Sequence, residues 1–328
     1  MNRKITLMTE KFLDLAYTLV WTPNTPNPFE PIFPYGFWWL DLSPEKFYAV
    51  SSAAPQLRFG RAKRGLFATR VRFSYPSAYR SNFAVNNTVH GLVNLRPQGK
   101  ARGAVIFVHG HAMNTFFPME WLARQTIEQG FDVYYIALPY HMQRAPKGTW
   151  GGQYSLSSSI EGTAIAFMQG VCDVRLLINW IEQVVELPVA LAGISLGAFT
   201  SCMAAVVDER PRAVVSIIGG GNVGKILWDG YRLGQMRHQL EKGGVNEAAL
   251  DDYWALLNPE NWQPQVDPSR VLVIGGEHDP IVTPENVLRL QMAWNTPAPH
   301  WYPAGHTTIG TFYKEMGREM AEFLAKAV

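Results

Sequence analysis

Cysteine is nearly missing: 328 residues carry two, Cys172 and Cys202. Both fall in segments that read as helix interior, so free buried thiols are the simple account and a disulfide framework is not indicated. Long apolar runs are also missing. No uninterrupted one approaches the ~20 residues of a membrane span, and no transmembrane segment is expected. The first residues, MNRKITLMTEKFLDLAYTLVW, begin basic, but Glu10, Lys11 and Asp14 interrupt the apolar part and no small-residue cleavage site follows. They read as an amphipathic helix rather than a signal peptide, and the expected location is cytoplasmic. Net charge is small: 29 basic and 27 acidic residues leave +2, which argues against a nucleic-acid partner. Charged residues make up 17% and hydrophobic residues 47%, which excludes disorder and leaves enough apolar material for a sizeable core. Internal repeats and low-complexity tracts are absent.

What is present is uneven. Residues 21–48, WTPNTPNPFEPIFPYGFWWLDLSPEKFY, alternate prolines with aromatics and lack helical periodicity. They read as part of an N-terminal arm, residues 1–67, laid over the main body; the arm either closes a cleft or joins two copies in a homo-oligomer. The stretch 58–73, RFGRAKRGLFATRVRF, is strongly basic. It reads as a solvated surface, with an acidic substrate or a membrane surface as the alternative.

From residue 68 to 328 the pattern changes to that of one large domain. Two β-like segments, FATRVRFSYP and NTVHGLVNLRP, read as antiparallel. Apolar runs ending in glycine or polar residues then alternate with helices: AVIFVHGH, a helix over 118–130, FDVYYIALPY, a long helix from about Ile160 to Glu186, PVALAGIS, a helix, AVVSIIGGGN, VLVIGGEHD, a helix capped by Thr283 and Pro284, HWYPAGH and a closing helix. Such alternation predicts an α/β fold with a mostly parallel sheet covered on both faces, and places function at the carboxyl ends of the strands. Residues 223–269 break the alternation with helical segments and no strand, which reads as an insertion in the position of a lid.

The strand ends carry the chemistry. Gly193-Ile194-Ser195-Leu196-Gly197 sits between a buried strand and a helix. A turn that sharp lifts the serine hydroxyl above the sheet, needs small residues two positions either side, and aims the Leu196 N–H at a developing oxyanion. Serine needs a base, and the base needs an orienting acid. His306 and Asp279 close later strands, in the order Ser195, Asp279, His306 expected for this architecture. Glu277 is a rival acid two residues earlier. His109, His111 and His141 raise a zinc reading, which alternation of side chains along a strand disfavours.

With these motifs in view, the chain resembles the α/β-hydrolase superfamily over roughly residues 68–328, near dienelactone hydrolases, acyl esterases and oligopeptidase catalytic domains. The resemblance rests on GISLG, on HGH after an apolar strand, and on the pair GGEHDPIV and AGHTT. It implies Ser195 as nucleophile, His306 as base and Asp279 as acid, with Leu196 and His111 supplying the oxyanion N–H groups and Ala112 one residue from the latter. His141, Arg144 and the insertion's aromatics (Trp228, Tyr231, Tyr253, Trp254 and Trp262) either pack or touch substrate; His141 and Trp228 are carried forward as substrate-binding candidates. The expected activity is hydrolysis of a small-molecule carboxylic ester through an acyl-serine, with no cofactor and no metal. A peptidase or amidase using the same triad, and a non-catalytic hydrolase-fold binding protein, are the alternatives.

Overall fold

Where polar and apolar residues alternate, the sheet has one wet face; where apolar residues run on, it has none. In the computed structural model, which describes residues 37–97, 99–230 and 233–328, the first pattern builds an antiparallel edge. This edge comprises β1 (Arg58–Phe59), β2 (Lys63–Arg64), β3 (Thr69–Pro76) and β4 (Thr88–Leu95). The second pattern builds the centre: β5 (Gly103–Val108), β6 (Phe131–Ile136), β7 (Val189–Ile194), β8 (Pro211–Ile217) and β9 (Val271–Gly276), with the short β10 (His300–Tyr302) outside. β5, β6, β7 and β9 are buried at every position. The strand order is β1-β3-β4-β6-β5-β7-β8-β9-β10, with β2 also paired to β3. Every pairing from β6 through β10 is parallel, and β4 joins β6 antiparallel. The α/β class expected from the sequence is the one observed.

The helices, in chain order, are α1 (Pro44–Phe47), α2 (Phe117–Leu122), α3 (Arg124–Glu128), α4 (Ile160–Trp180), α5 (Leu196–Val207), α6 (Val223–Asp229), α7 (Gly234–Lys242), α8 (Glu247–Tyr253), α9 (Pro284–Trp294) and α10 (Tyr313–Ala327). One core cluster lies under α4 and α5, and a second lies under α2, α3 and α10. The single helix expected over 118–130 is two, broken at Ala123 (φ −83°, ψ −1°). α10 crosses there so closely that a Cβ on Gly317 would collide with the Leu122 carbonyl. α9 starts as its sequence dictates, with Pro284 in the first turn and the Thr283 side chain accepting from the Asn286 N–H.

Helix α4 continues into a π-helical turn, Ile181–Val185. Together they form the one helix among the described residues long and apolar enough to cross a membrane, but 83% of its most apolar window is buried inside the protein. It is a core helix, and it carries a buried ion pair: Asp173 meets Arg144 at 2.8 Å with neither side chain exposed.

The expected amphipathic N-terminal helix and most of the Pro/aromatic segment lie outside the described residues, as does Tyr231. The described part of the arm, from residue 37 on, contributes side chains to the core of the body. Trp39, Phe47 and Tyr48 belong to the main core cluster. The Trp39 indole N–H donates to the Tyr253 carbonyl at 2.8 Å, and the Tyr48 hydroxyl donates to the Leu256 carbonyl at 2.6 Å. β1 and β2 extend the sheet itself. Trp39 and Tyr48 thus tie the arm to the 223–269 insertion, which contains α6, α7, α8 and short 3-10 turns, and no strand among its described residues.

Candidate active site

Ser195 occupies the junction of β7 and α5 with φ 51° and ψ −118°. A non-glycine residue there is strained by about 1–3 kcal/mol and persists only if its surroundings over-determine it. They do: the Ser195 N–H donates to the Ile217 carbonyl at 2.9 Å, and its carbonyl accepts from the Ala198 N–H at 2.8 Å. The flanking glycines are required by contact. A Cβ on Gly193 would run into the Gly197 backbone, and one on Gly197 into the Val108 carbonyl. A serine at a helix N-cap usually bonds back to the first turn. Here the side chain makes no cap bond; Oγ instead lies 3.0 Å from His306 Nε2.

His306 Nδ1 lies 2.7 Å from Asp279 Oδ2. The other oxygen, Oδ1, accepts the N–H groups of Ile281 and Val282 at 2.8 and 2.9 Å. Asp279 is thus buried, held and acceptor-only towards the imidazole, which assigns the proton to Nδ1 and leaves Nε2 as acceptor for the serine. Glu277 is exposed and its side chain lies 3.9 Å from His278, so it does not compete for His306.

The loop after β5 approaches the same point. The Leu196 N–H makes no hydrogen bond among the described residues, as expected of a first-turn donor. Ala112, in the left-handed region at φ 57°, donates its N–H to His141 Nε2 at 3.2 Å. Of the two neighbouring loop donors, the Ala112 group is therefore turned inward. His111 lines the cavity in front of Ser195, and its ring Nε2 lies 2.9 Å from the Gly152 carbonyl.

The three histidines form a scaffold under this loop. His109 accepts the Leu138 N–H on Nε2 at 2.9 Å, and its Nδ1 lies 2.7 Å from the Gly110 carbonyl. His141 Nδ1 lies 2.9 Å from the Pro139 carbonyl. Desolvation lowers His109 and His111 to about 4 and pushes His141 well below its ordinary value. All three are neutral at pH 7. In His109 and His141 one nitrogen donates to a carbonyl and the other accepts an N–H, which leaves neither ring a lone pair for a metal. His141 is consequently not a substrate contact: it is fully buried beneath the loop. Trp228 is not one either. Arg237 stacks over its ring at 4.9 Å, and it is not among the residues lining the cavity. Arg144 is buried in its ion pair and donates twice to the Asn86 carbonyl.

The cavity in front of Ser195 measures about 230 Å³. Its walls are Leu156 before α4, Phe199 on α5, Ile218 after β8, and Val223, Ile226 and Leu233 from the insertion. No Lys, Arg, Asp or Glu lines it among the described residues. Sequence reasoning missed these mostly aliphatic walls because it looked to the insertion's aromatics. The available signal was the i, i+3 spacing of Val223 and Ile226 directly after a strand end. It also missed Ile218, a β-branched residue held at φ 44° on the cavity wall.

A family model, Alpha/beta hydrolase domain containing 18, matches residues 87–241, a span that includes Ser195 and stops before Asp279 and His306. In structure the chain is similar to the acetyl xylan esterase from Paenibacillus sp. R4 (TM-score 0.65, 15% identity, covering 94% of this chain and 98% of that one). The chain has the α/β-hydrolase fold. The superfamily fold is shared at similar distance by acetyl xylan esterase 1 from Thermoanaerobacterium sp. JW/SL YS485 (TM-score 0.62, 15% identity, 89% and 95% covered). It is also shared by a puromycin-hydrolyzing peptidase of Mycobacterium tuberculosis (TM-score 0.53, 15% identity, 83% and 39% covered). In sequence, the chain is 26% identical over 111 residues to uncharacterized protein YdjC of Bacillus subtilis (strain 168), spanning 34% of this chain and 96% of that one.

Proposed function

We propose that the chain is an α/β-hydrolase that cleaves carboxylic esters with apolar acyl groups through an acyl-serine intermediate. The observation that carries the reading is the continuous contact from Ser195 Oγ to His306 to Asp279, at 3.0 and 2.7 Å, at the mouth of an aliphatic cavity. His306 Nε2 takes the Ser195 proton as Oγ attacks the ester carbonyl, and Asp279 stabilises the imidazolium. The N–H groups of Leu196 and His111 receive the tetrahedral oxyanion. His306 then protonates the leaving alcohol. Water repeats the sequence on the acyl-serine and releases the acid. No cofactor enters these steps.

Cavity chemistry favours esters over peptides. A peptide brings N–H and C=O groups that aliphatic walls leave unpaired, at a cost of roughly 1–3 kcal/mol each. The 223–269 insertion acts as a lid in this reading, since Val223, Ile226 and Leu233 form part of the wall.

Hydrolysis of p-nitrophenyl esters across acyl lengths, with Ser195→Ala alongside, tests the proposal. Activity is expected on short and medium chains and is expected to fall on long ones, because about 230 Å³ is below the common ligand-pocket range of roughly 300–1,000 Å³. Ser195→Ala should lower kcat/KM by about 10⁴-fold or more. Turnover of amides above esters would favour the peptidase alternative. Failure of a fluorophosphonate to label Ser195 in folded protein would sink both.

A further inference from the structure

Between Glu45 and Glu120 the chain contains no acidic residue: positions 46–119 hold 11 of its 29 Lys and Arg and none of its 27 Asp and Glu. The remainder carries 18 basic against 27 acidic residues, so a near-neutral whole conceals two oppositely charged parts. The structure concentrates the basic part on an edge. Residues 58–67 are exposed without interruption. In the β2–β3 pair, Lys63 lies directly opposite Arg70, a like-charge juxtaposition that weakens pairing. Arg58, opposite Ser74, shares the same exposed face as Arg70 and Arg72. Arg58, Arg61, Lys63, Arg64 and Arg72 form no ion pair among the described residues.

Beside these cations stands an apolar ridge. Leu66 is 85% exposed, Phe67 42%, Phe117 61% and Trp121 57%. The first two lie on the turn between β2 and β3, the others on α2, and a groove of about 330 Å³ runs between them. The anions behind the ridge are already neutralised: Glu120 pairs with Arg70 at 2.6 Å and Glu128 with Arg124 at 3.0 Å. Arg124 also lies over the Phe67 ring at 3.5 Å. We propose that this ridge, with the cations of residues 58–72, docks the protein onto an anionic lipid bilayer. Leu, Phe and Trp side chains enter the headgroup–acyl boundary while lysines and arginines meet the negative surface. A nucleic acid would meet the cations but would leave Leu66 and Phe117 uncovered. Pro118, next to Phe117, lines the Ser195 cavity, so the ridge adjoins the cavity mouth. Docking holds whether or not the protein is an esterase.

The test is cosedimentation of the full chain with phosphatidylcholine vesicles, with and without roughly one third phosphatidylglycerol. Binding is expected to the anionic vesicles only, and should weaken with salt. Leu66→Ser/Trp121→Ser and Lys63→Glu/Arg64→Glu are each expected to weaken binding about tenfold or more. Circular dichroism of both variants should match wild type, which separates lost docking from lost folding. No binding to anionic vesicles, or equal binding by wild type and both variants, overturns the proposal. A concentration-dependent dimer that both variants disrupt also overturns it and assigns the ridge to a second copy. Because the readout is vesicle binding, a failure of the hydrolase reading leaves the result intact.

Discussion

One sheet contains two regions under opposite rules. In its centre, four of the parallel strands are buried at every position; at its edge, ten successive residues are exposed. In the centre, backbone proximity dictates the residues, since Gly193 and Gly197 have no room for a Cβ. At the edge nothing about folding demands Lys63 opposite Arg70 or an exposed Leu66. The comparison teaches where sequence carries which information. Centre residues report on packing and on the geometry around Ser195, whereas edge residues that folding does not need report on what lies outside.

The contrast can be broken in several ways. The largest effect should come from Asp279→Asn, which keeps the shape but presents the wrong hydrogen-bonding group to His306 Nδ1; kcat should fall by about 10⁴-fold. A loss below about tenfold in ester assays would remove Asp279 from the reading. Next, Gly197→Ala puts a methyl into the Val108 carbonyl and should cost about 4 kcal/mol or prevent folding. A urea midpoint near wild type would show that the centre yields more than the geometry implies.

A third prediction concerns acid. His109 has its folded pKa lowered to about 4 from an ordinary value of 6.5, so the unfolded chain binds its proton first. Stability is therefore full above pH 6.5 and is lost as pH falls from 6.5 towards 4, by up to about 3 kcal/mol for this residue. Acid titration followed by circular dichroism should show that slope, and His109→Gln should reduce it, leaving the share of His111 and His141. The smallest effect belongs to the edge: Leu66→Ser should change stability by less than about 0.5 kcal/mol. A larger loss in thermal melts would mean that the ridge packs within the protein after all.

Much of the fold was legible because its signals are local. Continuous apolar runs marked the central strands, and Thr283-Pro284 marked a helix start. The strand-end positions of Ser195, Asp279 and His306 were legible for the same reason, and the folded chain brings them within hydrogen-bonding distance. What escaped depends on contacts far apart in sequence. The break at Ala123 follows from the close passage of Gly317. His141 was read as a substrate contact because it follows a strand, yet the loop that ends at Ala112 covers it. Trp228 was carried forward as one of the insertion's aromatics, yet it does not line the cavity, whose walls are mostly aliphatic. The arm was read as laid over the body, but its bonds to Tyr253 and Leu256 had no local signal.

Those last bonds order events in time. The Trp39 indole waits for the carbonyl of residue 253, and the Tyr48 hydroxyl for that of residue 256. Closing loops of more than 200 residues is slow and follows the local pairings. On a ribosome, Trp39 and Tyr48 are made well before their partners, and find their place only after residues 253 and 256 have emerged. Pulsed hydrogen exchange during refolding should find the Trp39 indole protected later than the amides of β5 and β7; simultaneous protection would refute that order.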